Sequence, residues 1–277
     1  MAIIGGGITG LSAAWFLRQA GSGLRPRVTL VEADQRLGGK IRTDLLAGMP
    51  VEGGPDGFLA RTPEAADLCR SLGLEQELVA PAPGPAYLWS RNRLRPIPPG
   101  LIVGLPARLG PLLRSGILSP SGIVRAGLDL VLPGQALAVD VSVGDLVRTR
   151  FGREVLERLV DPLLAGIYAG GAEELSLLAT TPELAALARR HRSLLLALRA
   201  SRPASARRPP ATPTFLSLAS GLQTLAERLR RDLDGVEWRI GVSATRLATA
   251  LGGGYRIELA GGGAIETDAV ILAVPAF

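Results

Sequence analysis

Gly5-Gly6-Gly7-Ile8-Thr9-Gly10 stands between a short apolar run, Ala2 to Ile4, and the stretch Leu11 to Gln19, in which apolar residues recur at helical spacing. A glycine turn that hands a strand over to a helix constrains the chain to a βαβ start. Only glycine lets the backbone turn so sharply and approach a neighbour with no Cβ in the way. Such a turn also aims the positive end of the next helix at a negatively charged group, in the manner of a pyrophosphate cradle. With 35 glycines among 277 residues the hexamer carries little weight alone, so its surroundings decide. Val28 to Val31 makes a second apolar strand ending in Glu32, which lies 22 residues beyond Gly10. There a carboxylate can accept hydrogen bonds from both hydroxyls of an adenosine ribose.

Four residues further on, Arg36-Leu37-Gly38-Gly39-Lys40-Ile41-Arg42-Thr43 supplies a second glycine pair beside cations. Taken alone this could be a surface turn. Directly after Glu32, two small residues and a cation can meet the same pyrophosphate from its other side, which points to a flavin more than to a nicotinamide.

The remaining composition narrows the classes. A chain with 47% hydrophobic and 20% charged residues is globular rather than disordered. Its net charge of +6 would ordinarily raise nucleic acid as a partner. Here the arginines are dispersed, Lys40 is the only lysine, and no basic tract carries interleaved aromatics, so no nucleic-acid partner is expected. One cysteine, Cys69, excludes an intrachain disulfide and a thiolate metal cage and fits a reducing cytoplasm. One histidine, His191, excludes a multi-histidine metal site and a histidine-based triad. It sits in Arg189-Arg190-His191-Arg192, which reads as the charged, solvated face of a helix. No stretch of 18 apolar residues is present for a membrane span, and peripheral membrane contact through an apolar patch stays open.

Along the chain, Val51-Glu52-Gly53-Gly54-Pro55-Asp56-Gly57-Phe58 again brings backbone close to a neighbour, and Pro63 to Leu72 reads as a helix with proline in its first turn. Short extended pieces run from Tyr87 to Pro98. Between Gly100 and Ala200 the periodicity is mostly helical, with Ser119, Ser142 and Thr181 as N-caps. Ser201 to Pro213 reads as an exposed loop and Gly221 to Leu233 as a helix. Val236 to Ile240, Tyr255 to Leu259, Ala264 to Thr267 and Ala269 to Val274 read as strands. The expected fold is therefore α/β (α+β): a Rossmann-like dinucleotide domain formed by 1–85 and 214–277, interrupted by a mostly helical insertion at 86–213.

The residues then support a resemblance. Gly54-Pro55-Asp56-Gly57-Phe58-Leu59 is followed by a helix ending in Leu72-Gly73-Leu74. Phe151-Gly152-Arg153-Glu154-Val155 runs into Asp161-Pro162-Leu163-Leu164-Ala165-Gly166-Ile167-Tyr168-Ala169-Gly170. His191-Arg192-Ser193-Leu194 and Ser220-Gly221-Leu222-Gln223-Thr224-Leu225 follow in order. With these segments the whole chain resembles the bacterial protoporphyrinogen and coproporphyrinogen III oxidases, within the flavin amine oxidase superfamily.

The resemblance implies an FAD enzyme of haem biosynthesis that uses O2 as electron acceptor and releases H2O2. By that analogy Gly5, Gly6, Gly7, Ile8, Thr9 and Gly10 hold the FAD pyrophosphate, and Glu32 and Ala33 meet the adenosine ribose. Gly39 and Lys40 add pyrophosphate contacts, Gly54, Pro55, Asp56 and Gly57 lie along the flavin, and Ala244 offers a backbone group to the adenine. Three two-electron steps turn the porphyrinogen into the porphyrin, with flavin N5 as hydride acceptor and no side chain assigned as acid or base. Arg61 leads as the cation for substrate propionates, with Arg95 weaker; Asp161 and Tyr168 read equally well as structural.

Members of that family continue well past the position of Phe277, which predicts a fragment that on its own binds FAD poorly and turns over slowly or not at all. Two other readings stay open. One is a different oxidoreductase of the same superfamily, such as a carotenoid desaturase or amine oxidase; the other is a non-catalytic FAD-binding fragment that needs a partner chain.

Overall fold

The computed structural model describes residues 1–20, 26–60, 62–82, 86–102, 104–134, 140–168, 170–201, 213–250 and 252–275. The chain divides into two compact units, Met1–Ala82 with Pro210–Phe277, and Pro83–Pro209.

The first unit is built on a four-stranded parallel sheet in the order Val236–Ile240, Val28–Glu32, Ala2–Ile4, Val270–Leu272. Parallel strands must be covered on both faces, and the side-chain alternation of the first strand shows how. Ile3 faces a core with Leu11, Ala14 and Trp15 of helix Ile8–Gln19 and Leu225 and Leu229 of helix Gln223–Asp232. Ala2 and Ile4 face the other way, against Ile257 of an antiparallel meander, Ala244–Thr249, Tyr255–Leu259 and Ala264–Thr267. The first helix begins at Ile8 rather than Leu11, because Gly7 is its N-cap and the end of the glycine turn is already its first turn. The last strand is shorter than expected, Val270–Leu272, and Ala244–Thr249 is an additional strand of the meander.

A hairpin, Thr43–Leu46 with Met49–Glu52, follows the second glycine turn, and a small antiparallel sheet joins Phe58–Leu59, Phe215–Leu218 and Leu78–Val79. The hairpin base reaches across the sequence to the returning helix. Glu52 accepts the Leu222 N–H at 2.7 Å and the Thr43 hydroxyl at 2.8 Å, while Thr43 Oγ1 accepts the Gln223 N–H at 3.0 Å. Helix Gln223–Asp232 has no cap of its own, so side chains from 170 residues earlier satisfy its first N–H groups.

The second unit is mainly helical around one apolar core that includes Leu146, Val147, Phe151, Leu159, Leu177 and Leu198. Ser119 and Ser142 cap helices Pro120–Gly127 and Val143–Phe151 as expected, accepting from Gly122 and Asp145 N–H. Thr181 stands at the N-cap position of helix Pro182–Arg190 but does not cap it. Its hydroxyl donates instead to the Leu177 carbonyl at 3.3 Å, the backbone of the preceding helix being the nearer acceptor. His191 is also placed differently from the sequence reading: it is the extended residue that ends that helix, not part of its face. Its carbonyl accepts from Arg150, a fully buried arginine that faces the equally buried Asp129 at 3.6 Å. The arginine also donates to the Pro133 carbonyl, and Asp129 accepts from the Ser193 hydroxyl and the Leu195 N–H. Tyr87–Ser90 and Arg93–Pro96 form a hairpin. The loop expected at 201–213 lies, apart from its ends, outside the described residues.

Candidate functional site

The carboxyl ends of the parallel strands converge on one cleft. Strand Ala2–Ile4 has Val28–Glu32 on one side and Val270–Leu272 on the other, which makes its end the point where the strand order reverses, the usual place for a ligand in an open α/β sheet. Gly5 leaves the strand at φ 107, its N–H held by the Val31 carbonyl at 2.8 Å. A Cβ at Gly10 would drive into the Gly5 carbonyl, so this glycine is what lets helix Ile8–Gln19 start against its own strand. That helix carries no acidic residue in its first turn, leaving its positive end uncompensated.

The second glycine turn lies against the first. The Gly38 N–H donates to the Gly6 carbonyl at 2.9 Å, Gly7 and Gly38 form a parallel bridge, and a Cβ on Gly39 would come within 3.0 Å of Gly7 Cα. Two backbones pressed together without side chains are a cradle that any larger residue would fill. Glu32, at the end of the second strand, is oriented by two backbone donors: Gly6 N–H to Oε2 at 2.6 Å and Asp34 N–H to Oε1 at 2.8 Å. Each carboxylate oxygen can accept twice, so both keep a lone pair for hydroxyl donors in the cleft.

The cleft has a volume of about 1200 Å³, above the roughly 300–1000 Å³ usual for drug-sized ligands. Of the residues expected at a cofactor, Gly5, Gly7, Ile8, Thr9, Glu32, Ala33, Gly39, Lys40, Pro55, Gly57 and Ala244 line it. Gly6 and Gly10 stand behind the lining, one bonded to Glu32 and the other packed on the strand. Gly54 packs so closely on the Lys40 carbonyl that a Cβ has no room, and Asp56 is exposed. Arg61 lies outside the described residues. Arg95 is spent on structure, donating to the carbonyls of Ser90 and Ser115; Asp161 accepts the Ala172 N–H at 2.7 Å, and the Tyr168 hydroxyl donates to the Thr180 carbonyl.

Sequence reasoning missed part of the wall. Leu222 and Leu225 come from the returning helix, Val242 and Ser243 from the segment after strand Val236–Ile240, and Ala273, Val274 and Pro275 from the end of the last strand. Val242, Ser243 and Ala273 to Pro275 stand at or just past the carboxyl ends of strands that the sequence did predict, but nothing local marks them as wall until those strands are placed in the sheet. The Val242 N–H bonds the Glu32 carbonyl at 3.0 Å, which brings its segment to the Glu32 end of the cleft.

Cys69 is buried, and burial pushes its thiol above the usual range. Among the described residues no group of His, Cys, Asp and Glu could hold a metal ion, and no helix is long and apolar enough to cross a membrane. The arrangement suits an anionic, hydroxyl-bearing ligand: the start of a helix with no acidic first-turn residue, Lys40, the Glu32 carboxylate and apolar residues line one cleft.

Comparison with known proteins places the chain in a family. The family model described as flavin containing amine oxidoreductase matches residues 8–276. A coproporphyrinogen III oxidase of Bacillus subtilis (strain 168) is 39% identical over 99% of this chain, and one of Propionibacterium freudenreichii is 37% identical over 99%. Protoporphyrinogen oxidase 1 of the Spinacia oleracea chloroplast is 30% identical over 99%. The chain spans 59%, 56% and 50% of these three relatives. A crystal structure from Exiguobacterium sp. 255-15, bearing a protoporphyrinogen oxidase name, superposes with a TM-score of 0.80 at 34% identity, over 99% of this chain and 59% of that one. A putrescine oxidase structure at 20% identity and a TM-score of 0.61, over 99% of this chain and 57% of its own, shares the fold. Because the family model matches nearly the whole length, the chain belongs to the flavin containing amine oxidoreductase family.

Proposed function

We propose that the cleft binds FAD and that the protein takes part in oxidising coproporphyrinogen III to the porphyrin, a six-electron reaction of haem biosynthesis. The observation that carries this reading is the 36–39% identity, over 90–99% of this chain, to bacterial relatives that are all named coproporphyrinogen III oxidase. Bound FAD supplies a hydride acceptor that O2 restores with release of H2O2.

The chain's own residues do the holding. The N–H groups at the Gly7 start of helix Ile8–Gln19 and Lys40 neutralise the diphosphate, the Gly5 and Gly6 N–H groups being held by Val31 and Glu32. Glu32 takes the adenosine ribose hydroxyls on the lone pairs left by Gly6 and Asp34, with Ala33 beside it and Ala244 at the adenine. Gly54, Pro55, Asp56 and Gly57 run toward the flavin. In this reading residues 1–85 and 214–277 serve the cofactor and 86–213 serve the macrocycle, while Arg61 pairs with a propionate. Each of the three oxidations takes a hydride from a different bridge carbon and releases one proton to solvent, so the protein's task is to present the bridges in turn, a matter of orientation, with no side chain assigned as acid or base.

Anaerobic mixing of the FAD-loaded chain with coproporphyrinogen III tests the reading. Bleaching of the flavin, slow and limited to the fraction of chain that retains FAD, followed on admission of air by porphyrin fluorescence and peroxide, is the expected result, with a weaker response to protoporphyrinogen. Bleaching by an amine or a carotene, and none by either porphyrinogen, would assign the chain to another branch of the superfamily.

A further inference from the structure

Arg36 sits two residues before Gly38 of the second glycine turn, and its guanidinium is turned back onto that turn's own backbone. Nη2 donates to the Gly39 carbonyl at 2.5 Å and Nη1 to the Ile41 carbonyl at 2.8 Å, with a longer contact from Nη1 to the Leu37 carbonyl at 3.4 Å. The turn is closed from within by the Ile41 N–H on the Gly38 carbonyl at 3.1 Å. It contains two glycines with positive φ, 107 at Gly38 and 58 at Gly39, and such residues have a wide choice of conformations when nothing holds them.

A trans peptide carries its C=O and N–H on opposite sides of one rigid plane. Fixing the Leu37 carbonyl toward Arg36 sends the Gly38 N–H the other way, and that N–H is the one that bonds the Gly6 carbonyl at 2.9 Å. By the same geometry, fixing the Gly39 carbonyl sends the Lys40 N–H away from Arg36, and Gly39 and Lys40 line the cleft whereas Arg36 does not. The planar fork of arginine suits this task, since it can hold two carbonyls at once where a lysine ammonium offers a compact point charge.

We propose that Arg36 is a positioning residue for diphosphate recognition: by gathering the Gly39 and Ile41 carbonyls it holds the Gly38–Lys40 turn against Gly7 and presents the Lys40 N–H to the nucleotide's phosphates. This rests on the reading of the cleft as a dinucleotide site. It assigns Arg36 no contact with the phosphates and no part in the chemistry.

The test compares ADP with adenosine on the whole chain by calorimetric titration, for the wild type, Arg36→Met and Arg36→Lys, with thermal melting of each variant alone. Adenosine reports the Glu32 end of the cleft and ADP adds the diphosphate. The expected result is an ADP affinity at least tenfold lower in Arg36→Met, adenosine affinity within twofold of wild type, and only partial recovery in Arg36→Lys. Equal loss of both ligands would mean that Arg36 merely stabilises the unit, and full recovery in Arg36→Lys would mean that its charge acts directly; either overturns the proposal, as does an unchanged ADP affinity. A wild type that binds neither ligand would instead overturn the dinucleotide reading itself.

Discussion

Glu32 illustrates how one carboxylate is set for a ligand by its own backbone. Gly6 and Asp34 N–H groups fix its two oxygens at 2.6 and 2.8 Å. Glu32→Ala removes the acceptor and strips these donors of their partner, and hydrogen bonds to a charged group are worth about 1.5–3 kcal/mol. Affinity for FAD, followed by quenching of flavin fluorescence, is expected to fall roughly 10- to 100-fold. In the second unit Asp140 is a carboxylate with a structural duty. The Ser176 hydroxyl at 2.5 Å, then the Leu178 N–H at 3.1 Å, hold its carboxyl below the usual 3.8. Because the folded value is the lower one, the contribution is complete above that usual value and fades as pH falls through the native one. Carbon-detected NMR should place the Asp140 titration below 3.8, and Asp140→Asn should flatten that portion of the acid unfolding curve. The residues legible in the sequence were those whose partners are near in the chain or at a fixed spacing, such as Gly5, Gly10, Glu32 and Gly39. Val242, Ala273 and Val274 were not, because nothing local distinguishes a wall residue until its strand is placed in the sheet.

Among the elements, four helices of the second unit are capped by serine, at Ser119, Ser142, Ser176 and Ser193. Ser142→Ala should cost about 1 kcal/mol in denaturant unfolding, the usual loss of an N-cap. Thr181→Val, at a position of the same type with no cap bond to lose, should cost less than half of that. The Asp129–Arg150 pair is a different kind of fastener. Arg150 is 2% exposed and Asp129 fully enclosed, and Arg150 Nε and Asp129 Oδ1 are left without hydrogen bonds. Asp129→Ala leaves a buried charge unpaired and should destabilise by about 3–5 kcal/mol, whereas replacing both by apolar residues should cost far less. Denaturant curves of the single and double variants give the comparison. Strands 236–240, 255–259 and 264–267 were read with their observed boundaries, since each is bounded by glycine or aspartate turns. Ala244–Thr249 was missed as a strand because Ala, Thr, Arg and Leu there show no clean alternation of apolar and polar residues. The hairpin Thr43–Glu52 was missed for another reason: its turn uses Ala47 at φ 51 beside Gly48, and alanine is not a residue that announces a left-handed turn.

At the scale of the whole chain, a ligand that binds the native cleft and not the unfolded chain must raise stability. At a free concentration one hundred times its dissociation constant, FAD should add about 2.7 kcal/mol, seen as a higher melting temperature. Amides of Gly5 to Thr9 and Gly38 to Ile41 should exchange more slowly under the same conditions, and protection confined to the helical unit would contradict the placement of the site. The βαβ start and the return to strands were legible because parallel strands buried on both faces read as apolar runs. The strand order was not, since pairing between segments so far apart leaves no mark in local periodicity.

That order has a consequence in time. The inner strand Ala2–Ile4 has one neighbour close behind it in the chain, while its other edge waits for Val270–Leu272, which takes up register from Ala2 to Val270. Such long-range pairing is slow to form, and an unpaired apolar edge is a template for the wrong partner. On the ribosome the glycine cradle therefore exists in outline long before Ala273 to Pro275 can close its wall. A ligand of this cleft meets a complete wall only once Pro275 has been made, and the nascent chain is most exposed to misassembly in that interval.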